Sequence, residues 1–238
     1  MAYSHLVSTS ATYGAGSGSS PAINTATADL LLALVASYYG APAPTLSDSK
    51  TNTWQVAENF IGSGGASCQL KLYYCYGGTV GSGHTVTCTA SGAYGSVIFA
   101  AYSGAVATPL DQHTSTGAAG VTSVQPGSVT PSEGNELVIA CLGYQTAAAV
   151  ASIGGGFTKR ANENPQSGVS YGCALADLIQ TSAAAANPAW SWTGAGDATA
   201  LIATFKAAGG GGGGGSAEVA AMCSRYGLNA RNGYGLRR

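Results

Sequence analysis

The chain reads Ala28-Asp29-Leu30-Leu31-Leu32-Ala33 near its beginning, and the same pattern returns as Asn135-Glu136-Leu137-Val138-Ile139-Ala140. Each segment is an acidic residue followed by an apolar run, which is typical of a strand that enters a hydrophobic core. The runs 30–36 and 97–101 are apolar at every position. We therefore expect strands that are covered on both faces.

The repetition extends along most of the chain. The further matching segments are Trp54–Asn59 with Phe157–Asn162, Ser67–Tyr73 with Ser170–Ala176, His84–Thr87 with Ala189–Trp192, and Ser96–Tyr102 with Ala200–Lys206. Each reads as a short strand bounded by Gly, Pro, Asn or Asp, and no long stretch has the spacing of an amphipathic helix. Further strands are predicted near His5–Thr12 and Val121–Val129. The sequence therefore predicts an all-β fold.

Two similar halves, at about 20–104 and 125–208, are compatible with two architectures. They could be tandem immunoglobulin-sized domains or the interleaved halves of one jelly roll. The junction Ala105–Thr130 has no charge-rich or Pro-rich hinge. We therefore expect residues 1–208 to form one jelly-roll-like β-sandwich built from two similar halves, followed by a Gly-rich linker and a short C-terminal peptide.

The charge of the chain is low and unevenly distributed. Only 8% of the 238 residues are charged and the net charge is −1, whereas typical soluble domains are about a quarter charged. Residues 1–208 carry five Lys/Arg and nine Asp/Glu, while 209–238 carry four Arg and one Glu. This body does not suit a nucleic-acid partner. No secretory signal or membrane span is recognised, so we expect synthesis in a cytosol and no membrane partner.

Seven consecutive glycines, 209–215, separate the body from the basic end of the chain. Such a run is a flexible tether with a reach of about 15 Å. Residues 216–225 can start a short helix, with Ser216 as N-cap. We expect 216–238 to be a docking peptide that gains order on a partner, through Val219, Met222, Arg225, Tyr226, Leu228, Arg231, Tyr234, Leu236, Arg237 and Arg238. A disordered terminus and an RNA-binding tail are the alternatives.

The catalytic and metal-binding motifs that the sequence could contain indicate no reaction. Gly168–Gly172 matches G-x-S-x-G but is followed by a strand, and every histidine lies upstream of it, so the motif lacks the hydrolase context. Asp111 and His113 are read as solvated turn residues, with a metal or acid–base role as the alternative. No facing pair of carboxyl groups can be assigned for glycoside hydrolysis. We expect no enzyme activity, no cofactor and no metal.

Tyrosines and cysteines leave two further options open. Tyr38, Tyr39, Tyr73 and Tyr76 are the exposed candidates for contact with a glycan, whereas Trp190 and Trp192 share one face and are read as core. None of the six cysteines has C-x-x-C spacing, so buried thiols are expected. If their strands pair, Cys68 and Cys88 could approach, which would allow a disulfide in an oxidising medium.

The strand entry Ala28–Leu31, the connector Leu46–Trp54, the segment Gln125–Pro131 and the Gly-rich spacer resemble those of bacteriophage virion surface proteins. These include decoration, head-fibre and tail-fibre β-sandwich modules; secreted bacterial sandwich modules look similar. The resemblance implies a non-enzymatic structural protein, assembled in the host cytoplasm, displayed on the virion surface and held there by 216–238 on other virion proteins. It also implies a homo-oligomer. A glycan-binding adhesin is the alternative expectation, and a polysaccharide-degrading enzyme is the least favoured.

Overall fold

The computed structural model describes residues 2–14, 16–38, 40, 44–62, 66–90, 94–145, 151–165 and 171–209. These residues form fourteen strands and contain no helix, which confirms the predicted all-β fold. The strands are β1 (Ser4–Tyr13), β2 (Gly16–Ser19), β3 (Leu30–Tyr38), β4 (Thr45–Asp48), β5 (Gln55–Ile61), β6 (Cys68–Tyr76), β7 (Val86–Ala90), β8 (Gly95–Ser103), β9 (Ala105–Val124), β10 (Glu136–Tyr144), β11 (Ser152–Ile153), β12 (Thr158–Glu163), β13 (Gly172–Gln180) and β14 (Trp190–Ala207).

The first half, which in the structure comprises β1–β8 and so begins before residue 20, contains two antiparallel sheets. The first large sheet has the order β1-β8-β3-β6-β5, and a small sheet has the order β2-β7-β4. Eight strands divided between two packed sheets, with the chain crossing repeatedly from one sheet to the other, give the first half a β-sandwich of the jelly-roll-like kind that the sequence predicts for residues 1–208.

The second half, which in the structure comprises β9–β14 and so begins before residue 125, repeats this order in its own sheet. The second large sheet runs β9-β14-β10-β13-β12, with β9, β14, β10, β13 and β12 in the places of β1, β8, β3, β6 and β5. The ends of β9 and β14 also supply the small layer, where Trp190 and Ser191 pair with both β9 and β11. Neither half gives a described strand to the other's sheets, so the expected interleaving is wrong.

The core is continuous across the two halves. Leu30, Leu32 and Leu34 of β3 face the second large sheet and pack in one cluster with its residues. Leu31, Ala33 and Val35 alternate with them and face the small sheet. The run 30–36 is therefore buried on both faces, as its sequence predicts. Trp190 and Trp192 are core residues of the second half, as predicted.

The two halves are related by an approximate two-fold axis. β3 packs on β10 at the centre; β6 packs on β14 and β8 on β13, while β1 lies along β12 and β5 along β9. Bulges occupy equivalent places, at Ala57 and Arg160 and again at Leu6 and within 111–112. Each contact thus recurs with the roles of the halves exchanged, as in an isologous dimer interface.

The two edges of this interface differ in chemistry. At the β1–β12 edge, Arg160 Nε donates to Asp177 Oδ2 at 2.8 Å, and the His5 ring lies edge-on to Tyr102 with centroids 5.2 Å apart. The equivalent buried positions at the β5–β9 edge are apolar or aromatic, with Tyr74 edge-on to Phe205.

Candidate functional site

The body has two distinct poles. Here the loop pole means the end where Tyr38, Cys68 and Gly95 of the first half meet Tyr144 and Gly172 of the second. The tether pole means the opposite end, where Leu30, Ser103, Glu136 and Ala207 lie. Strands of nine residues separate the poles by about 30 Å.

The chain enters, crosses and leaves the body at the tether pole. Tyr3 Oη donates to the Lys206 carbonyl at 2.8 Å, and the Ala208 amide donates to the Gly104 carbonyl at 2.7 Å. The Asp29 carboxylate accepts from the amides of Gly104 and Ala105 at 2.9 and 3.0 Å. Gly209 is the last described residue here. The predicted docking residues between Val219 and Arg238 lie outside the described residues.

The predicted glycan-contact tyrosines do not form one surface. Tyr38 is 42% exposed at the loop pole, whereas Tyr76 is exposed at the tether pole. The prediction that Tyr73 is exposed is wrong, because this residue is only 6% exposed and its hydroxyl donates to the Pro44 carbonyl at 2.7 Å. Tyr39 lies outside the described residues.

Sequence reasoning missed two tyrosines at the loop pole. Tyr38 of the first half stacks on Tyr171 of the second, with centroids 6.4 Å apart and planes 24° apart. Tyr94 is exposed beside the start of β8, which pairs with the end of β3. The loop pole therefore combines two exposed tyrosines with a buried tyrosine that spans the joint between the halves.

Polar contacts tie the halves together beneath these tyrosines. Ser67 Oγ donates to Asp197 Oδ2 at 2.5 Å and lies 2.7 Å from the Tyr171 hydroxyl. Ser96 Oγ donates to the Tyr171 carbonyl at 2.8 Å. The stacked tyrosines thus rest on a base that both halves hold in place.

The expected approach of Cys68 and Cys88 does not occur. β6 belongs to the first large sheet and β7 to the small sheet, so Cys68 lies between the halves and Cys88 in the outer core. The five cysteines among the described residues are buried and free. Burial raises the pKa of the Cys88 thiol to about 11, so these thiols are poor nucleophiles.

The histidines do not form a catalytic or metal site with each other. His113 Nδ1 lies 2.5 Å from Glu58 Oε2 at the β5–β9 edge. His84 is buried, with Nδ1 2.8 Å from Thr25 Oγ1 and Nε2 3.4 Å from Asp48 Oδ2. Asp48 also accepts from Asn52, Lys50 and Trp54, which makes it the anchor of its loop.

Asp111 is the centre of a cluster at the tether pole, and not a turn residue as its sequence context suggests. It lies within β9, at a bulge. Lys206 Nζ is 3.2 Å from Asp111 Oδ1, and the Ser132 amide and hydroxyl donate to the two carboxylate oxygens at 2.8 and 3.0 Å. Ser132 Oγ also lies 3.4 Å from Glu136 Oε1.

The pKa values of the two carboxyl groups in this cluster are shifted in opposite directions. Burial raises the pKa of the fully buried Glu136, and the charge of Asp111 raises it further. Burial alone would raise the pKa of Asp111, but hydrogen bonds from Ser132 and Lys206 hold it below its usual range. The cluster therefore places a carboxyl group with a lowered pKa, Asp111, next to one with a raised pKa, Glu136.

Glu136 and Lys206 were not recognised from the sequence, although a signal was present. The equivalent positions of the first half are Asp29 and Ser103, and Leu6 stands where the second half has Asp111. The cluster lies where the second half departs from the repeat.

Other site types find no support in the described part of the chain. No group of three His, Cys, Asp or Glu side chains there could hold a metal ion. No helix there has the length and apolarity to cross a membrane. Ser170 of the G-x-S-x-G match lies outside the described residues.

Comparison of the chain with family models, curated proteins and solved structures finds no match to any of them.

Proposed function

We propose that the protein is a non-enzymatic structural component of a phage particle, either a decoration or a fibre protein. Its body is displayed, and residues 216–238 dock on another virion protein. It works as a homo-oligomer on the virion surface. Synthesis is in the host cytoplasm.

The observation that carries this proposal is the separation of the two poles. The glycine tether begins at Gly209, at the tether pole, while the exposed Tyr38 and Tyr94 lie about 30 Å away at the other end. A partner that holds the peptide therefore leaves the loop pole free and pointing outward. The four arginines of the peptide complement an acidic partner surface.

The test measures incorporation into purified particles. We expect a chain truncated after Gly209 to fold but to be lost from particles, measured as copies per particle by quantitative mass spectrometry. A matched variant keeps the full length and changes Arg225, Arg231, Arg237 and Arg238 to Gln; it should be incorporated weakly. Equal thermal melts of the purified bodies control for folding. Normal incorporation of the truncated chain would refute the docking role.

A second candidate function, glycan binding by an adhesin, is favoured by the loop pole. Exposed tyrosine rings offer flat faces on which sugar rings can stack, and Tyr38 is held in place by its stack on Tyr171. The test is a glycan array with the wild-type body and the variants Tyr38→Ala, Tyr94→Ala and Tyr76→Ala. Binding that is lost in the first two and kept in Tyr76→Ala supports this function, and a blank array removes it.

A further inference from the structure

The cluster at the tether pole contains the three groups needed to make an amide bond. Lys206 supplies an amine whose Nζ lies 3.2 Å from Oδ1 of the Asp111 carboxyl group. The buried carboxyl group of Glu136 is linked to Asp111 through the Ser132 hydroxyl, which lies 3.0 Å from Asp111 Oδ1 and 3.4 Å from Glu136 Oε1. The bond to be made joins Nζ to Cγ, the carbon that carries this oxygen, so the ion pair keeps the two reacting groups together and replaces a slow encounter by an intramolecular step. The two residues lie on the neighbouring strands β9 and β14.

We propose that Lys206 and Asp111 form a covalent amide bond in the folded protein, with Glu136 as the acid that assists it. The bond joins Lys206 Nζ to Asp111 Cγ. It is a self-modification of the chain and needs no cofactor.

The atoms of the step balance without an oxidant or another reactant. The ammonium of Lys206 passes one proton to the carboxylate of Asp111, which leaves a neutral amine and a neutral acid. The Nζ lone pair attacks Cγ, the nitrogen gives up a second proton, and one oxygen of Asp111 leaves as water. During the attack, Glu136 donates a hydrogen bond from Oε2, which has no partner among the described residues beforehand, to the reacting carboxyl group, and it ends the reaction unchanged.

The surroundings of the cluster bear on the two parts of this step differently. The hydrogen bond and charge of Asp111 raise the pKa of Lys206, which is 35% exposed, so the transfer of its proton to Asp111 is the uphill part of the step. The Ser132 amide and hydroxyl point at the two oxygens of Asp111, where charge develops as the amine attacks. Glu136 Oε2 is buried and has no hydrogen-bond partner among the described residues, so this oxygen is available to the reacting carboxyl group.

The position of the bond has a mechanical meaning, and this part rests on the proposed function. Lys206 lies three residues before Gly209, where a load on the tether would enter the body. An amide to Asp111 would pass that load from β14 to β9 through a covalent bond. Whether the bond exists is independent of whether 216–238 docks.

The decisive measurement is the intact mass of the denatured full-length chain. We expect a mass lower than that of the sequence by about 18 Da, one water, and a cross-linked peptide that joins Asp111 to Lys206 in a digest. Lys206→Arg and Asp111→Ala should have their full sequence masses. Asp111→Asn should lose about 17 Da, because ammonia replaces water as the leaving group.

Two controls separate the chemistry from folding. Glu136→Gln keeps the size of the side chain and removes the acid, so it should fold and stay at its full mass. Lys159→Arg changes a lysine that donates to the Ala151 carbonyl and should still show the loss. A folded wild-type chain at full mass after prolonged incubation would overturn the proposal, as would the same loss in Lys206→Arg.

Discussion

Leu34→Ala tests whether the two halves share one cooperative core. Leu34 is fully buried on the face of β3 that packs against the second half. Its truncation removes buried methyl groups and leaves a cavity, at a cost of about 3 kcal/mol within the usual range for such sites. For a body of this size, each kcal/mol lowers Tm by about 2–4 °C, so we expect a fall of about 9 °C.

The assay follows the half that was not mutated. Trp190 and Trp192 lie in the outer core of the second half, so in a Trp54→Phe background their fluorescence reports only on that half. If the halves unfold together, the Tm measured by fluorescence falls by the same amount as the Tm measured by far-UV circular dichroism.

Ile61→Ala is the matched control, because Ile61 lies in the same half but is exposed, and it should shift stability by less than about 0.5 kcal/mol. A fluorescence transition that stays in place while circular dichroism shows earlier loss of structure would refute the reasoning. The halves would then be independent domains.

Three further predictions concern charge and backbone. Burial alone would raise the pKa of Asp48, but its hydrogen bonds lower it, so its stabilisation is present above the unfolded pKa of about 3.9 and is lost as pH falls further. Calorimetry should therefore show Tm falling more steeply below about pH 4 in the wild type than in Asp48→Asn. Gly104→Ala should cost about 1–3 kcal/mol in urea unfolding, because φ is +106° and a Cβ would lie 2.6 Å from the Ala2 carbonyl oxygen; Gly120→Ala, at φ +64° in open space, should cost less. Arg160→Met removes the ion-pair partner of the buried Asp177 and should cost about 3 kcal/mol by the same measurement, the low end for a buried pair because Arg160 is 29% exposed; most of this cost should be recovered in Arg160→Met/Asp177→Leu.

Much of the fold could be predicted because its signals are local. Alternation and continuous apolar runs depend only on neighbouring residues, so the run 30–36 was read correctly as a strand buried on both faces. The repeat of this strand at 137–140 predicted two similar halves.

The partner of each strand could not be predicted in the same way. β9 is 20 residues long and crosses the region read as a junction, because its small residues pair along β14 without a periodic apolar signal. The cysteine pairing failed because β7 crosses to the small sheet after β6, and nothing in 77–85 indicates that crossing. Asp111 and Lys206 are far apart in sequence, so their contact exists only once β9 and β14 pair.

The connection between the halves runs through Gly104 alone, at the tether pole, next to both ends of the body. At the loop pole the halves touch but are not joined by the chain. Variation in the length or sequence of the segments at the loop pole would leave the chain connection between the halves, and the packing of the two large sheets, unchanged. The architecture therefore allows the loop pole to diversify under selection while the tether pole stays constant.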